Sequence, residues 1–172
     1  MTKKFNPLDH TNIEFKIKKP TDGATIEGVH TRNLQTFVDG RGDLTEIWTL
    51  KWQDPDLVTP QHVYYNITDP NVIKGWHWHE NSCSQYVCLA GKMQIVLIDV
   101  REGNKTFGEV NQFVVSSKNP MYIKIPPFVL KGWKALEENA VIINLVSSAD
   151  TADNFKVPWD SFVKDVWQPI NG

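Results

Sequence analysis

From Leu34 onward, apolar and polar residues alternate in short runs punctuated by turn residues. Runs with a period of two and rich in β-branched and aromatic residues predict strands at Leu44 to Trp52, His62 to Thr68, Val72 to His79 and Tyr86 to Ala90. Four more are predicted at Met93 to Val100, Gln112 to Ser116, Met121 to Ile125 and Ala140 to Ser147. The dividers are Gln53-Asp-Pro-Asp, Thr68-Asp-Pro-Asn, Ala90-Gly-Lys, Glu102-Gly-Asn and Asn119-Pro. With no amphipathic helix between them, these strands predict an all-β sandwich, jelly roll or barrel. Residues 1–33 are polar, Lys-rich and weakly periodic, as expected of an N-terminal arm or edge strand ahead of one domain spanning 34–172. Only Asp160 to Trp167 has the pattern of a short C-terminal helical turn, with Asp160 as its cap.

The 172 residues suffice for one domain with its own core, and 41% hydrophobic content is that of a globular chain. Eighteen Lys and Arg against 20 Asp and Glu give a net charge of -2, which argues against nucleic acid or a membrane surface as partner. No apolar run approaches the roughly 18 residues a membrane span needs. The N-terminus lacks a hydrophobic leader core, so the expected location is cytoplasmic. Two cysteines, Cys83 and Cys88, make neither a disulfide framework nor a zinc knuckle, and Cys88 is expected in the core.

The densest chemistry lies in Lys74-Gly-Trp-His-Trp-His-Glu80. On a strand His77 and His79 share one face with Gly75, while Lys74, Trp76 and Trp78 take the other. Three readings compete: a solvated polar face, the start of a cupin metal site, or a proton-transfer pair. A metal site wants an acid near position 84 and a late third histidine. Ser84 and Lys131 stand there instead, which disfavours metal. Proton abstraction beside a ketone needs an imidazole base and a group that stabilises the enolate oxygen.

Other candidates flank this segment. Along the predicted strand from Leu44, Glu46 shares a face with Leu44, Trp48, Leu50 and Trp52. A carboxylate in such a row needs a partner, either Arg41 or a lysine in an ion pair, or a bound sugar or base. Arg41, between two glycines, has the forked donors that suit a phosphate. In Gln61-His-Val-Tyr-Tyr-Asn66, Tyr64 shares a face with His62 and Asn66 and is expected to line a cleft. Tyr65 is expected in the core.

Arg41-Gly-Asp-Leu-Thr-Glu46, Val72-Ile-Lys-Gly-Trp-His77, Ile98-Asp-Val-Arg-Glu-Gly-Asn-Lys-Thr-Phe-Gly108 and Ile125-Pro-Pro-Phe-Val-Leu-Lys-Gly-Trp133 resemble, in order, the signatures of the dTDP-4-dehydrorhamnose 3,5-epimerase family. The resemblance runs from about Phe37 to Trp159. Val63-Tyr-Tyr, His77-Trp-His and Tyr86-Val-Cys-Leu-Ala-Gly91 are also similar to the nucleotide-sugar 3,4-ketoisomerases. Both groups imply a cupin double-stranded β-helix acting as a homodimer, without metal or other cofactor, on a nucleotide-linked 4-keto-6-deoxyhexose. The resemblance places His77 on the catalytic base and Asp160 on its supporting acid. It gives His79, Lys131 or Tyr64 the enolate to stabilise or reprotonate. Gln61, Ser84 and Asn144 join Arg41, Glu46 and Lys74 as substrate-binding candidates. The family's lysine falls on Ser84 and its second-face tyrosine on Asn144, so double epimerisation by the usual route loses its acid. A 3,4-ketoisomerase using His77 and His79, a sugar-nucleotide-binding cupin without chemistry, and a metal cupin are the alternatives.

Overall fold

A computed structural model describes residues 6–9 and 12–168. The first strands are β1 (Lys16–Ile17), β2 (His30–Asn33), β3 (Thr36–Asp39), β4 (Gly42–Thr45), β5 (His62–Thr68) and β6 (Ile73–Trp78). They are followed by β7 (Ser84–Ala90), β8 (Lys92–Asp99), β9 (Glu109–Ser116), β10 (Met121–Ile125), β11 (Val129–Ala135), β12 (Ala140–Val146) and β13 (Phe155–Lys156). One sheet has the order β1-β9-β8-β11-β6-β13, and the sheet facing it β2-β10-β7-β12-β5. Hairpin β3–β4 forms a small sheet by itself. Two sheets, antiparallel except where β1 runs parallel to β9, make the jelly roll with these crossings.

Strand β8 shows why the sheets pack as they do. Met93, Ile95 and Leu97 point inward to Tyr86, Phe113, Ile123, Trp133 and Ile142, the core between the sheets. Val96 and Ile98 point outward, where Trp76, Trp78, Phe162 and Trp167 cover them. A strand buried on both faces reads as an unbroken apolar run, as Met93 to Val100 does. The tail that makes this cover is two 3₁₀ turns, Trp159–Ser161 and Lys164–Trp167, rather than one turn capped by Asp160. The arm is tied in as well. Lys16 N–H donates to Gly108 O at 2.9 Å, and β2 pairs with β10.

Three expectations change. The strand predicted from Leu44 to Trp52 ends at Thr45, and Leu50–Trp52 is a 3₁₀ turn. Trp48 and Trp52 instead pack on Tyr122 and Val87, the outer face of the second sheet, and Glu46 is exposed rather than set in an apolar row. Tyr65 is 65% exposed, because β5 is an edge strand whose outer face none of the described residues covers. Strand β11, which the sequence pattern did not disclose, lies in the middle of the first sheet.

Candidate active site

The cleft opens between the two sheets and is floored by β6 and β11 on one side and β5 on the other. It measures about 240 Å³, and Lys74, His77, His79, Lys131 and Tyr64 line it, with Trp133 and Tyr86 at its base. A side chamber of about 110 Å³ adjoins it, sharing Tyr64, His79 and Asn154.

The first wall owes its shape to a bulge. Lys131 pairs with His77 and Trp133 with Lys74, so two residues of β6 oppose the single Gly132 of β11. The extra residue reverses the alternation, and Lys74 joins the histidines instead of facing away with Trp76 and Trp78. Gly132 permits the close approach: a Cβ there would lie 3.1 Å from Gly75 Cα and 3.2 Å from Lys74 O.

Burial, then the charge of Lys131, lowers His77 to about 4, and Lys156, His79 and Lys74 push the same way. His79 also falls to about 4, through burial and Lys131, while the carbonyl and charge of Asp153 oppose the shift. Both imidazoles are therefore neutral at pH 7. Lys131, 2% exposed, is lowered by burial to about 7, and its side-chain nitrogen makes no hydrogen bond or ion pair among the described residues. A small cationic well results, although the chain as a whole carries -2.

The second wall supplies a phenol. Tyr64 on β5 pairs with Asn144 on β12, and the Asn144 side-chain N–H donates to the Tyr64 hydroxyl oxygen at 2.8 Å. The phenol's own proton stays available to a ligand. Asn144 is 1% exposed and Ser84 fully buried, so both stand behind the cleft lining rather than in it.

Four other expected site residues lie elsewhere. Asp160 is exposed in its 3₁₀ turn and forms no hydrogen bond or ion pair with His77, which has no carboxylate partner among the described residues. The short tail segment carries that acid away from the cleft and brings Asp153 to it. Arg41 sits on the β3–β4 hairpin, paired with Asp39 at 2.5 Å, so the ion pair considered for Glu46 does not form. Gln61 is exposed at the start of β5, its N–H bound to Val146 O. Among the described residues the one grouping of three potential metal ligands is His30, Asp54 and Asp56, away from the histidine pair and bridged to Arg32 and Lys124.

Asp153 is the residue the sequence did not disclose. Its carboxylate accepts from Glu80 N at 2.7 Å, Asn81 N at 3.1 Å and the Ser82 hydroxyl at 2.7 Å, and its carbonyl accepts from His79 Nδ1. Burial alone would raise this carboxyl, but the donors hold it below the usual range. An aspartate in an Ala-Asp-Asn loop carries no local signal of such a role.

The profile of the dTDP-4-dehydrorhamnose 3,5-epimerase family matches residues 23–168. The chain belongs to that family. It is thus an enzyme, and its class is sugar-nucleotide epimerase. Agl13, a probable low-salt glycan biosynthesis epimerase of Haloferax volcanii, is 32% identical over 140 residues, 78% of this chain and 89% of its own. The spore coat polysaccharide biosynthesis protein SpsL of Bacillus subtilis is 32% identical over 142 residues, covering 78% of this epimerase and 91% of SpsL. Among solved structures, ChmJ, a 3'-monoepimerase from Streptomyces bikiniensis in complex with dTDP-quinovose, superposes with a TM-score of 0.75 at 20% identity. That match covers 87% of this chain and 81% of ChmJ, and fixes the epimerase's fold as the cupin jelly roll.

Proposed function

We propose that this epimerase enolises a 4-keto-6-deoxyhexose carried on dTDP, in the biosynthesis of a surface glycan, by proton abstraction at an imidazole of the His77–His79 pair. One observation carries the reading: neutral imidazoles and Lys131 stand on one wall of the cleft and the Tyr64 phenol on the other. A sugar ring between them would present opposite faces to a base and an acid. The base takes the proton from the carbon next to the keto group, and the C–H electron pair moves into the enolate, whose oxygen carries the charge. The Lys131 ammonium stabilises that oxygen. The Tyr64 hydroxyl then returns a proton to the other face, inverting the centre, and tyrosinate and imidazolium re-equilibrate with solvent. Asn144, expected to leave the second face without an acid, supports one from the neighbouring strand.

The protein acts as a homodimer in this reading. Among the described residues hairpin β3–β4 pairs with no other strand, and Phe37, Val38 and Leu44 on it are 55%, 72% and 63% exposed. Val63, Tyr65 and Ile67 on the outer face of β5 are also exposed. A second copy covers both apolar surfaces and carries Arg41 and Glu46 to its partner's cleft, where they meet the nucleotide.

Proton NMR of dTDP-4-keto-6-deoxyglucose with the protein in deuterium oxide tests the chemistry. Exchange of H3 and H5 is the expected result. Exchange at C3 alone would restrict the enzyme to single epimerisation or 3,4-ketoisomerisation, separated by the position of the product's keto group. Binding of dTDP without exchange would leave a cupin that holds the nucleotide sugar without chemistry.

A further inference from the structure

We infer that Lys131 is a covalent site: its amine condenses reversibly with a carbonyl compound held in the cleft, the ketone of the sugar or a small aldehyde, and takes the enzyme out of its enolisation cycle. Capture of the sugar rests on the enolisation reading above, and capture of an aldehyde does not. Among the described residues Lys131 is the one buried lysine, and its side-chain nitrogen has neither a hydrogen-bond acceptor nor a paired carboxylate. A lysine surrenders its proton when water is removed and no acceptor replaces it. Other lysines of the same sheets do have acceptors. Lys74, also in the cleft wall, donates to Ile67 O at 3.3 Å, Lys124 to Asp56 at 2.7 Å and Lys134 to Trp167 O at 2.8 Å.

Burial leaves Lys131 at about 7, so ammonium and free amine coexist near neutrality. The ammonium serves the enolate, whereas the amine is a nucleophile. Lys131 pairs with His77 across the β6–β11 ladder, and its charge acts on His77 and His79 alike. Asp153 and Cys83 also act on it, both favouring the charged form, and on its other side it pairs with the apolar Leu97 of β8. A ketone whose oxygen meets the ammonium in one protonation state therefore meets a lone pair in the other. The sequence sets this lysine where a cupin metal site would want a late histidine. An imidazole there could not form a stable C=N bond; a primary amine can.

The step balances without an oxidant or reductant. The amine lone pair adds to the carbonyl carbon, the carbonyl π electrons move to oxygen, and a proton passes from nitrogen to that oxygen by way of a neutral imidazole of the pair. A proton from solvent then lets the oxygen depart as water while the nitrogen lone pair closes the C=N bond, leaving a protonated imine. Trp133 and Tyr86 at the base of the cleft keep water scarce, which favours dehydration.

Reductive trapping on the intact protein tests the inference. With acetaldehyde and cyanoborohydride at pH 7, peptide mass spectrometry should find Lys131 ethylated at least about tenfold faster than the exposed Lys51, Lys118 and Lys164. With dTDP-4-keto-6-deoxyglucose in place of the aldehyde, the sugar nucleotide should become joined to Lys131 with loss of its ketone oxygen. Lys131→Met should give no such adduct. Labelling of Lys131 no faster than that of the exposed lysines would overturn the covalent site. Aldehyde capture together with proton exchange on the sugar, but no sugar adduct, would overturn capture of the sugar. Aldehyde capture with neither exchange nor adduct would support the covalent site and count against enolisation itself.

Discussion

A lysine is most expensive to the fold where water is excluded, and Lys131 bears that cost without a bonded counter-ion. Its pKa of about 7 in the fold lies below its ordinary 10.5. The unfolded chain therefore binds that proton more tightly, and this residue's penalty is fully present below pH 7 and fades as pH climbs toward 10.5. Lys131→Met should raise the unfolding free energy at pH 7 by about 1–3 kcal/mol in urea titrations. It should also abolish isotope exchange, since the enolate loses its cation. Stability gained and activity lost in one variant would mark Lys131 as retained for chemistry. Tyr64→Phe should remove the second-face donor yet leave the base intact, lowering formation of inverted product about a hundredfold while proton wash-out at the attacked carbon persists. At this scale the sequence showed a good deal. His77, His79, Tyr64 and Lys131 were all legible, because period-two alternation or family position put them on the cleft side. Asp153 was not, because it works from an irregular loop whose path depends on where the tail is pinned to β6. Asp160 looked like the supporting acid only by its place along that same tail.

Among the elements, β6 and β11 carry the most consequence, since their bulge turns Lys74 into the cleft. A methyl at Gly132 would press on Gly75 and on the Lys74 carbonyl. Gly132→Ala should cost about 1–3 kcal/mol in stability and weaken binding of dTDP, measured calorimetrically, as Lys74 swings away. Reading β11 from sequence fails for a physical reason. Val129-Leu-Lys-Gly-Trp-Lys-Ala is buried on both faces and includes a lysine and a glycine, so it lacks the alternation of a half-solvated strand. The opposite error arose from Leu44 to Trp52, where alternation was real but served the packing of Trp48 and Trp52 as a loop. The family signature that runs from Ile98 to Gly108 proves architectural. Asp99 is fully buried, accepts from Arg101 Nε and a terminal guanidinium nitrogen at 2.8 Å each, and from the Thr106 hydroxyl. Arg101 also reaches Glu27 O at 2.8 Å, tying the arm to this turn.

For the whole molecule, net charge was a poor guide to the site, because acidic residues on the surface conceal a cationic well between the sheets. The fold class was legible, since eight runs without intervening helices leave few other architectures. Its openness at one edge was not, because a predicted strand gives no sign of whether a neighbour covers it. That edge, with the idle hairpin, should make the protein a dimer by light scattering, and Phe37→Asp combined with Leu44→Asp should yield a folded monomer with little activity. In the proposed dimer the hairpin and the cleft it completes belong to different subunits, which would make the two genetically separable. Arg41→Ala and His77→Asn chains, each nearly inactive alone, should complement when mixed and allowed to exchange partners. In each heterodimer one cleft then inherits both lesions and the other neither, so half the sites in that species regain full turnover.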